Sequence, residues 1–353
     1  MPPSTLLAPP SAASPKLETI AQAAGVSIST VSRALQKNPQ IARATQTRIR
    51  DIATRLGYVP NPYVSTLMAH VRQHRPLPYQ ANLGWIDRLP ANTWRHNPVQ
   101  SQFFEGAVHR AGTLGYQIER VSCLEADMTP RRLRNIMRAR GINGVLCSAD
   151  TPESRQTVLP FDVNSFAVVT VGCRFTKPDL HYSTNDQFYT ARMAHQHLQQ
   201  LGYRRVGFVT TRGLEDIVEY RFTGGFQSAA PSLGPEQAVP VFYTDGQPGD
   251  PAFADWLRTY RPDAVLTTFM VDLLDQITAT GLRVPEDLGF AVLDWDARTP
   301  HIAGVRQDHR RTGAAAVDVL VAQLQSNEYG VPEHARGVMI EGAWQDGPTA
   351  PPR

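Results

Sequence analysis

Two kinds of hydrophobic spacing divide this chain. Between residues 16 and 75, apolar side chains recur every three or four positions: Leu17, Ile20, Ala21 and Ala24, then Val31, Ala34 and Leu35, then Ile49, Ile52, Ala53 and Leu56. Each set makes one stripe on a short helix, so three small helices sharing a core are predicted. Gly25 supplies the left-handed residue that stops the first helix. Ser27 can cap the second, with Val26 packing inward beside it. Thr45 is the expected cap of the third, which Gly57 ends. Asn61 and Pro62 can open a fourth, apolar at Val64, Leu67, Met68 and Val71, ahead of the linker prolines Pro76 and Pro78. Beyond residue 80 the pattern changes. Apolar runs alternate with helical segments, the rhythm of parallel βαβ units. The runs ANLGWID, NGVLCS, FAVVTV, RRVGFVT, AVLTTF and LGFAVLD are the predicted strands. Residues 100–115, 130–140, 186–202, 250–260, 271–281 and 310–326 are the predicted helices.

Charge follows the same division. Residues 16–75 hold nine Lys/Arg and two acids, whereas the rest of the chain is slightly acidic and the whole carries only +3. A small basic module on a mildly acidic body suggests a polyanion-binding head, although a solvated basic face has the same signature. The 353 residues suffice for two or three compact units. No apolar run reaches the length of a membrane span. The first fifteen residues, MPPSTLLAPPSAASP, are uncharged with five prolines. They lack the basic start and apolar core of a secretory signal and read as a disordered leader. Cys123, Cys147 and Cys173 lie far apart in or beside apolar runs, without metal-ligand spacing. That fits buried free thiols in a reducing cytoplasm.

The second helix, in GVSISTVSRAL, carries an unusual face. At 100° per residue, Val31, Ala34 and Leu35 fall on one side. Ser29, Ser32, Arg33 and Gln36 fall on the other, and Ile28 projects from the first turn. Slim hydroxyl side chains let a helix enter a major groove and bond phosphates or base edges, and an arginine can grip guanine with two bonds. A Ser/Thr-rich surface helix without a partner is the bland alternative, but such residues are poor helix formers. Helix, tight glycine turn, helix is the helix-turn-helix arrangement.

Taken together, KLETIAQAAGVSISTVSRAL followed by GYVPN resembles the lactose-repressor (LacI–GalR) family of bacterial transcription regulators. The likeness continues in NDQFYTARMAHQHLQQLGYRRVGFV and GLRVPEDLGFAVLD, and covers about residues 16–345. The resemblance implies that Ile28, Ser29 and Arg33 read bases, while Ser27, Thr30, Ser32 and Asn38 hold phosphates. It implies a hinge helix starting at Asn61 that enters the minor groove, where Leu67 wedges a base step. It implies a two-lobed periplasmic-binding-protein-like core, homodimerisation, and a small-molecule effector of sugar-like kind. Val64-Ser65 replaces the family's usual hinge Ala-Arg. Phe269-Met270 replaces a family Asn-Asp, which removes a common hydroxyl partner.

Ligands of open α/β sheets bind beyond the carboxyl ends of strands. Asp294 ends such a strand, and its carboxylate can accept from vicinal hydroxyls or an amine. Arg221 can donate a bidentate pair. Both match family effector positions, and a plain structural ion pair is the alternative. Asp87 and Arg88 end the first strand of the other lobe. Trp94, Tyr243, Phe269 and Trp295 offer stacking faces, though each aromatic taken alone also fits a core. There is no G-x-S-x-G, Walker A loop or H-E-x-x-H. His195 and His197 flank Gln196 on a helix and face different ways. No enzyme, cofactor or metal is therefore expected.

The expected fold is α/β: an N-terminal all-α helix-turn-helix head on a two-lobed core of doubly wound parallel sheets. The expected division is a leader at 1–15, the head at 16–60, the hinge helix and linker at 61–80, the effector and dimer core at 81–345 and a tail at 346–353. The expected function is an operator-binding regulator, a homodimer acting in the cytoplasm at the nucleoid with no membrane partner. Two alternatives stay open: a DNA-binding dimer whose core has lost its effector, and a solute-binding protein. A solute-binding protein would have no use for the basic head.

Overall fold

The computed structural model describes residues 17–35, 41–56, 81–87, 97–124, 128–148, 159, 161–175, 177–229, 238–244, 250–268, 270 and 272–353. The side chains of Leu17, Ser29, Ser32, Arg33 and Asp87 lie outside that description. The head contributes α1 (Leu17–Ala24), α2 (Ile28–Leu35) and α3 (Arg43–Arg55). Their stripes meet as predicted: Ile20, Ala21, Ala24, Val31, Ala34, Ile49, Ile52 and Ala53 form one buried cluster, with Val26 and Leu35 against it. Gly25 has φ +64°. Its amide bonds the Gln22 carbonyl and that of Val26 the Ala21 carbonyl, the paired bonds that close a helix on a left-handed residue. Arg48 from α3 donates to Ala24 O at 3.2 Å, so α3 helps satisfy the carbonyl end of α1. The cap expected at Thr45 is corrected. The helix begins at Arg43 after Ala42, which makes no side-chain cap bond. Gln46 instead reaches back to Ile41 O at 2.8 Å, which fixes the entry of the chain and leaves Thr45 inside the first turn.

The core strands are β1 (Ala81–Asp87), β2 (Tyr116–Ser122), β3 (Ile142–Ser148), β4 (Ala167–Val171), β5 (His181–Asn185), β6 (Val206–Thr210), β7 (Phe242–Tyr243), β8 (Ala264–Thr267), β9 (Gly289–Val292), β10 (Ala303–Arg306), β11 (Gly337–Ile340) and β12 (Ala343–Gln345). Between them run α4 (Pro98–Thr113), α5 (Pro130–Ala139), α6 (Gln187–Gln200), α7 (Arg212–Ile217), α8 (Arg221–Ser228), α9 (Pro251–Tyr260), α10 (Leu273–Ala279) and α11 (His309–Ser326). Two six-stranded sheets result, ordered β11-β5-β4-β3-β1-β2 and β12-β10-β9-β8-β6-β7. Every recorded pairing is parallel except β10 with β12. The two lobes thus repeat one doubly wound order. In each, the strand order reverses beside the central strand that opens the lobe, β1 or β6.

The helices start where their caps dictate. Asn97, Thr129, Asp186, Thr211 and Asp250 each accept a backbone N–H of the following turn. Strands β4 and β6 are buried at every position, as central parallel strands must be. The chain passes between sheets three times, through α6, through α11 and from β11 to β12. Residues 346–353, expected as a tail, run back over the second lobe. Thr349 bonds Phe290 and Ala303, and Tyr203 donates to Pro351 O at 2.9 Å. Helices α4 and α11 touch backbone to backbone. A Cβ on Gly106 would lie 1.9 Å from Arg310 O, and one on Gly313 would lie 1.9 Å from Phe103 O. Cys147 and Cys173 are buried and Cys123 is half-buried. Among the described residues no helix is long and apolar enough to cross a membrane.

Candidate functional site

In the head, Ser27 Oγ accepts from Thr30 N at 3.2 Å, and Val31 N bonds Ser27 O. The cap predicted at Ser27 is therefore made, and the Thr30 hydroxyl lies 2.8 Å from the Ser27 hydroxyl. Ile28 is 48 % exposed, a large apolar side chain left outward in the first turn while Val31 and Ala34 are fully buried. Helical phase puts positions 29, 32 and 33 away from 31 and 34. Asn38, Asn61 and Leu67 lie outside the described residues. Ser27→Ala removes the cap, a loss of about 1 kcal/mol. Hydrogen exchange at the Thr30 amide is expected to speed up roughly fivefold, and an unchanged rate would show that the cap is not holding the helix.

In the core, the polar residues at the carboxyl ends of the strands converge. Asp294 follows β9. Its Oδ1 lies 2.9 Å from Nε2 of His309, the first residue of α11. The other ring nitrogen of His309 lies 3.1 Å from Oδ1 of Asn185, the last residue of β5 in the first lobe. Phe103 meets the imidazole edge-on at 5.3 Å. Gln307 donates to Leu293 O at 2.7 Å just behind. Trp295 has its backbone bonded to Val305 O. Its indole N–H, the Thr268 hydroxyl and the Asn185 amide nitrogen are buried without a hydrogen-bond partner among the described residues. Buried donors without partners are unusual.

A second cluster surrounds the turn between α7 and α8. Glu219 and Tyr220 both have φ 57°, a conformation that costs a side-chain-bearing residue energy and marks a constrained site. The turn delivers Arg221 to the start of α8, with Nε 4.0 Å from Glu219 and Nη1 3.4 Å from Met339 Sδ on β11 of the first sheet. Among the described residues Arg221 makes no two-bond pair with a carboxylate. Tyr243 has its hydroxyl 3.3 Å from that of Thr223 and its ring under the Arg212 guanidinium at 4.5 Å. Asp87 ends β1 as expected, while Arg88, Trp94 and Phe269 lie outside the described residues. Asp294 and Trp295 therefore stand in one group, Arg221 and Tyr243 in another.

Sequence reasoning missed His309, Asn185 and Glu215. Glu215 is fully buried and accepts from Thr223 N at 3.3 Å, at the amino end of α8. Burial pushes its carboxyl above the ordinary glutamate range, and the hydrogen bonds from Thr223 only partly oppose this. A carboxyl raised on folding favours the folded state most below the ordinary range, and that contribution is lost as pH rises through the folded value. Glu215→Gln stays neutral. It is expected to raise the melting temperature by about 3 °C near pH 8 and to change it little near pH 4. A gain confined to acid pH would reverse the sign and the assignment. His195 and His197 do face different ways. His195 is buried on Phe226, whereas His197 lies against Trp344. Among the described residues no cluster of His, Cys, Asp and Glu is suited to a metal ion.

A family described as bacterial regulatory proteins, lacI family, matches residues 16–61, which are the helix-turn-helix head. A periplasmic binding protein-like domain matches residues 195–342. Both parts occur in order on one chain, and curated relatives align along nearly all of it. The chain is a LacI-family regulator. The HTH-type transcriptional repressor PurR of Haemophilus influenzae is 20 % identical over 341 residues, covering 91 % of this chain and 94 % of its own. The repressor CytR of Escherichia coli K12 is 23 % identical over 332 residues, covering 89 % and 91 %. Among solved structures, a regulator CelR–cellobiose complex superposes with TM-score 0.58 at 20 % identity, covering 95 % of this chain and 99 % of that one. A lac repressor dimer bound to operator and the anti-inducer ONPF gives 0.54 at 17 %, covering 96 % and 99 %. The LacI-family chain therefore has the expected fold, a helix-turn-helix head with a periplasmic-binding-protein-like core, and is a DNA-binding transcription regulator.

Proposed function

We propose that this LacI-family regulator works as a homodimer on a near-palindromic operator, with its affinity for DNA set by a sugar-like metabolite held in the cleft of the core. The observation that carries the reading is α2: a capped helix joined tightly to α1, its inner face buried at Val31 and Ala34 and Ile28 exposed outward. Two such helices about one turn of DNA apart bind a palindrome far better than one. Ser27, Thr30, Ser32 and Asn38 hold phosphates, while Ile28, Ser29 and Arg33 face bases. The hinge from Asn61 carries Leu67 into the minor groove. The division into head at 16–60, hinge at 61–80 and core at 81–345 follows from these roles. The effector residues are Asp87, Arg221, Tyr243, Phe269, Asp294 and Trp295. Solved relatives bound to cellobiose and to operator DNA support both halves of the reading. The protein acts in the cytoplasm as a switch, not as a catalyst.

A second reading, a DNA-binding dimer whose core takes no effector, is favoured by one observation: the Asp294 carboxylate is already engaged by His309. A thermal-shift panel separates the two. D-glucose, D-ribose, adenosine and glycerol stand for sugars, nucleosides and polyols, and a bound ligand raises the melting temperature by mass action. For the DNA half, selection from a random oligonucleotide pool should return a near-palindrome, and no enrichment at low salt would end the proposal. Asp294→Asn is expected to abolish the ligand response while operator affinity stays within about twofold. A normal response would move the pocket elsewhere.

A further inference from the structure

We infer that His309 is a positioning residue that ties the effector carboxylate of Asp294 to the opposite lobe, so that capturing a ligand and releasing the lobes are one event. The inference rests on the reading of Asp294 as an effector contact. Three parts of the fold meet at this imidazole. Asn185 ends β5 in the first lobe, Asp294 follows β9 in the second, and His309 opens α11, one of the segments that passes between them. The ring is buried, with 7 % of its side chain accessible against 16 % for Asp294.

Hydrogen-bond accounting leaves two directions for the chain of bonds, set by the protonation of the ring. An ionised carboxylate only accepts, so Nε2 of His309 carries the proton facing Asp294. In the neutral ring Nδ1 then accepts, whereas a doubly protonated ring donates from Nδ1 to Asn185 Oδ1 as placed. As placed, the group facing Nδ1 is Asn185 Oδ1, another acceptor, while Asn185 Nδ2 is buried with no partner among the described residues. Amide oxygen and nitrogen are assigned from the network around them. For the neutral ring, turning the Asn185 amide end for end lets Nδ2–H donate to Nδ1 while Nε2–H donates to Asp294 Oδ1, and the amide oxygen then takes the unpartnered position. The edge-on Phe103 ring holds the imidazole plane in line. A ligand that presents paired donors, such as vicinal hydroxyls or an amidine, claims both oxygens of Asp294 and competes with Nε2–H. Losing one end leaves a buried polar group unpaired, and the link then gives way as a whole.

The test compares two substitutions in the full chain. His309→Phe keeps a ring against Phe103 and removes both bonds, whereas His309→Gln restores one acceptor and one donor. Spin labels on Arg138→Cys in α5 and Arg258→Cys in α9 report the separation of the lobes in a Cys123→Ser background, since both positions are exposed and Cys147 and Cys173 are buried. His309→Phe is expected to raise the population of a second separation roughly tenfold, and His309→Gln to return it to within about twofold of the parent. Nitrogen NMR of the ring should give a protonated Nε2 and an unprotonated Nδ1, with Nδ1 shifting in Asn185→Ala. An unchanged separation in folded His309→Phe overturns the inference. So does failure of His309→Gln to restore it, which would leave only packing. If Asp294→Asn keeps its thermal response to the sugar panel while His309→Phe still frees the lobes, the link stands and the effector reading falls.

Discussion

Gly106→Ala is expected to lower the melting temperature of the full chain by roughly 10 °C. The added methyl would sit 1.9 Å from a main-chain oxygen, Arg310 O, and no rotamer change can move that atom. Helices α4 and α11 would have to separate, and the reciprocal contact at Gly313 would open with them. Overpacking a core usually costs about 1–3 kcal/mol, and a backbone clash falls at or above the top of that range. Gly112 on the same helix is the control. A Cβ there meets nothing within 4 Å, so Gly112→Ala should leave the melting temperature unchanged or slightly higher. Equal melting of the two variants by calorimetry would show that the helices do not touch at Gly106.

Arg33→Ala is expected to weaken binding to the selected operator by about ten- to a hundredfold, the loss of one base-reading arginine at about 1–3 kcal/mol. Binding to random DNA should fall much less, because a sequence-neutral phosphate contact would reduce both equally and would also lower the salt dependence. Titrations at two salt concentrations distinguish the outcomes. Equal losses on both DNAs would make Arg33 a backbone contact and leave Ile28 and Ser29 as the base-facing pair.

The head was legible because its physics is local. Its helices, the glycine stop at Gly25 and the cap at Ser27 are set by residues within four positions of one another, and they form as predicted. Thr45 failed for a local reason too: the long Gln46 side chain reaches Ile41 O and moves the start of α3 back. In the core, the central runs such as AVVTV were visible as unbroken apolar strands, but β5 was not. HYSTN is polar by composition and is buried through specific bonds, with Ser183 donating to Thr312 O and Thr184 to Gly172 O. No spacing rule along the chain announces partners 129 residues away. The same limit hid the candidate site. Asp294 and Arg221 are candidates read from the ends of strands, whereas Asn185, 124 residues from His309, meets it only through the fold. Glu215 gave no sign that it would be enclosed.

Strand β1 carries a further consequence. It lies between β2 and β3 in parallel ladders, in register with β2 from Ala81 to Asp87 and shifting register against β3 between Asn82 and Leu83. Asp87, one of the proposed ligand residues, ends the strand, and Ala81 at its other end follows residues 61–80. Seven residues of strand span roughly 20 Å. A clamped strand of that length behaves as a stiff lever. If the first lobe tilts by about 10° around a point near the cleft, Ala81 travels about 3–4 Å, more than the one or two ångströms by which helices commonly shift at subunit interfaces. On the proposed reading, news of an occupied cleft can therefore leave the core as a sideways swing of one residue, with nothing inside the lobe needing to rearrange on the way.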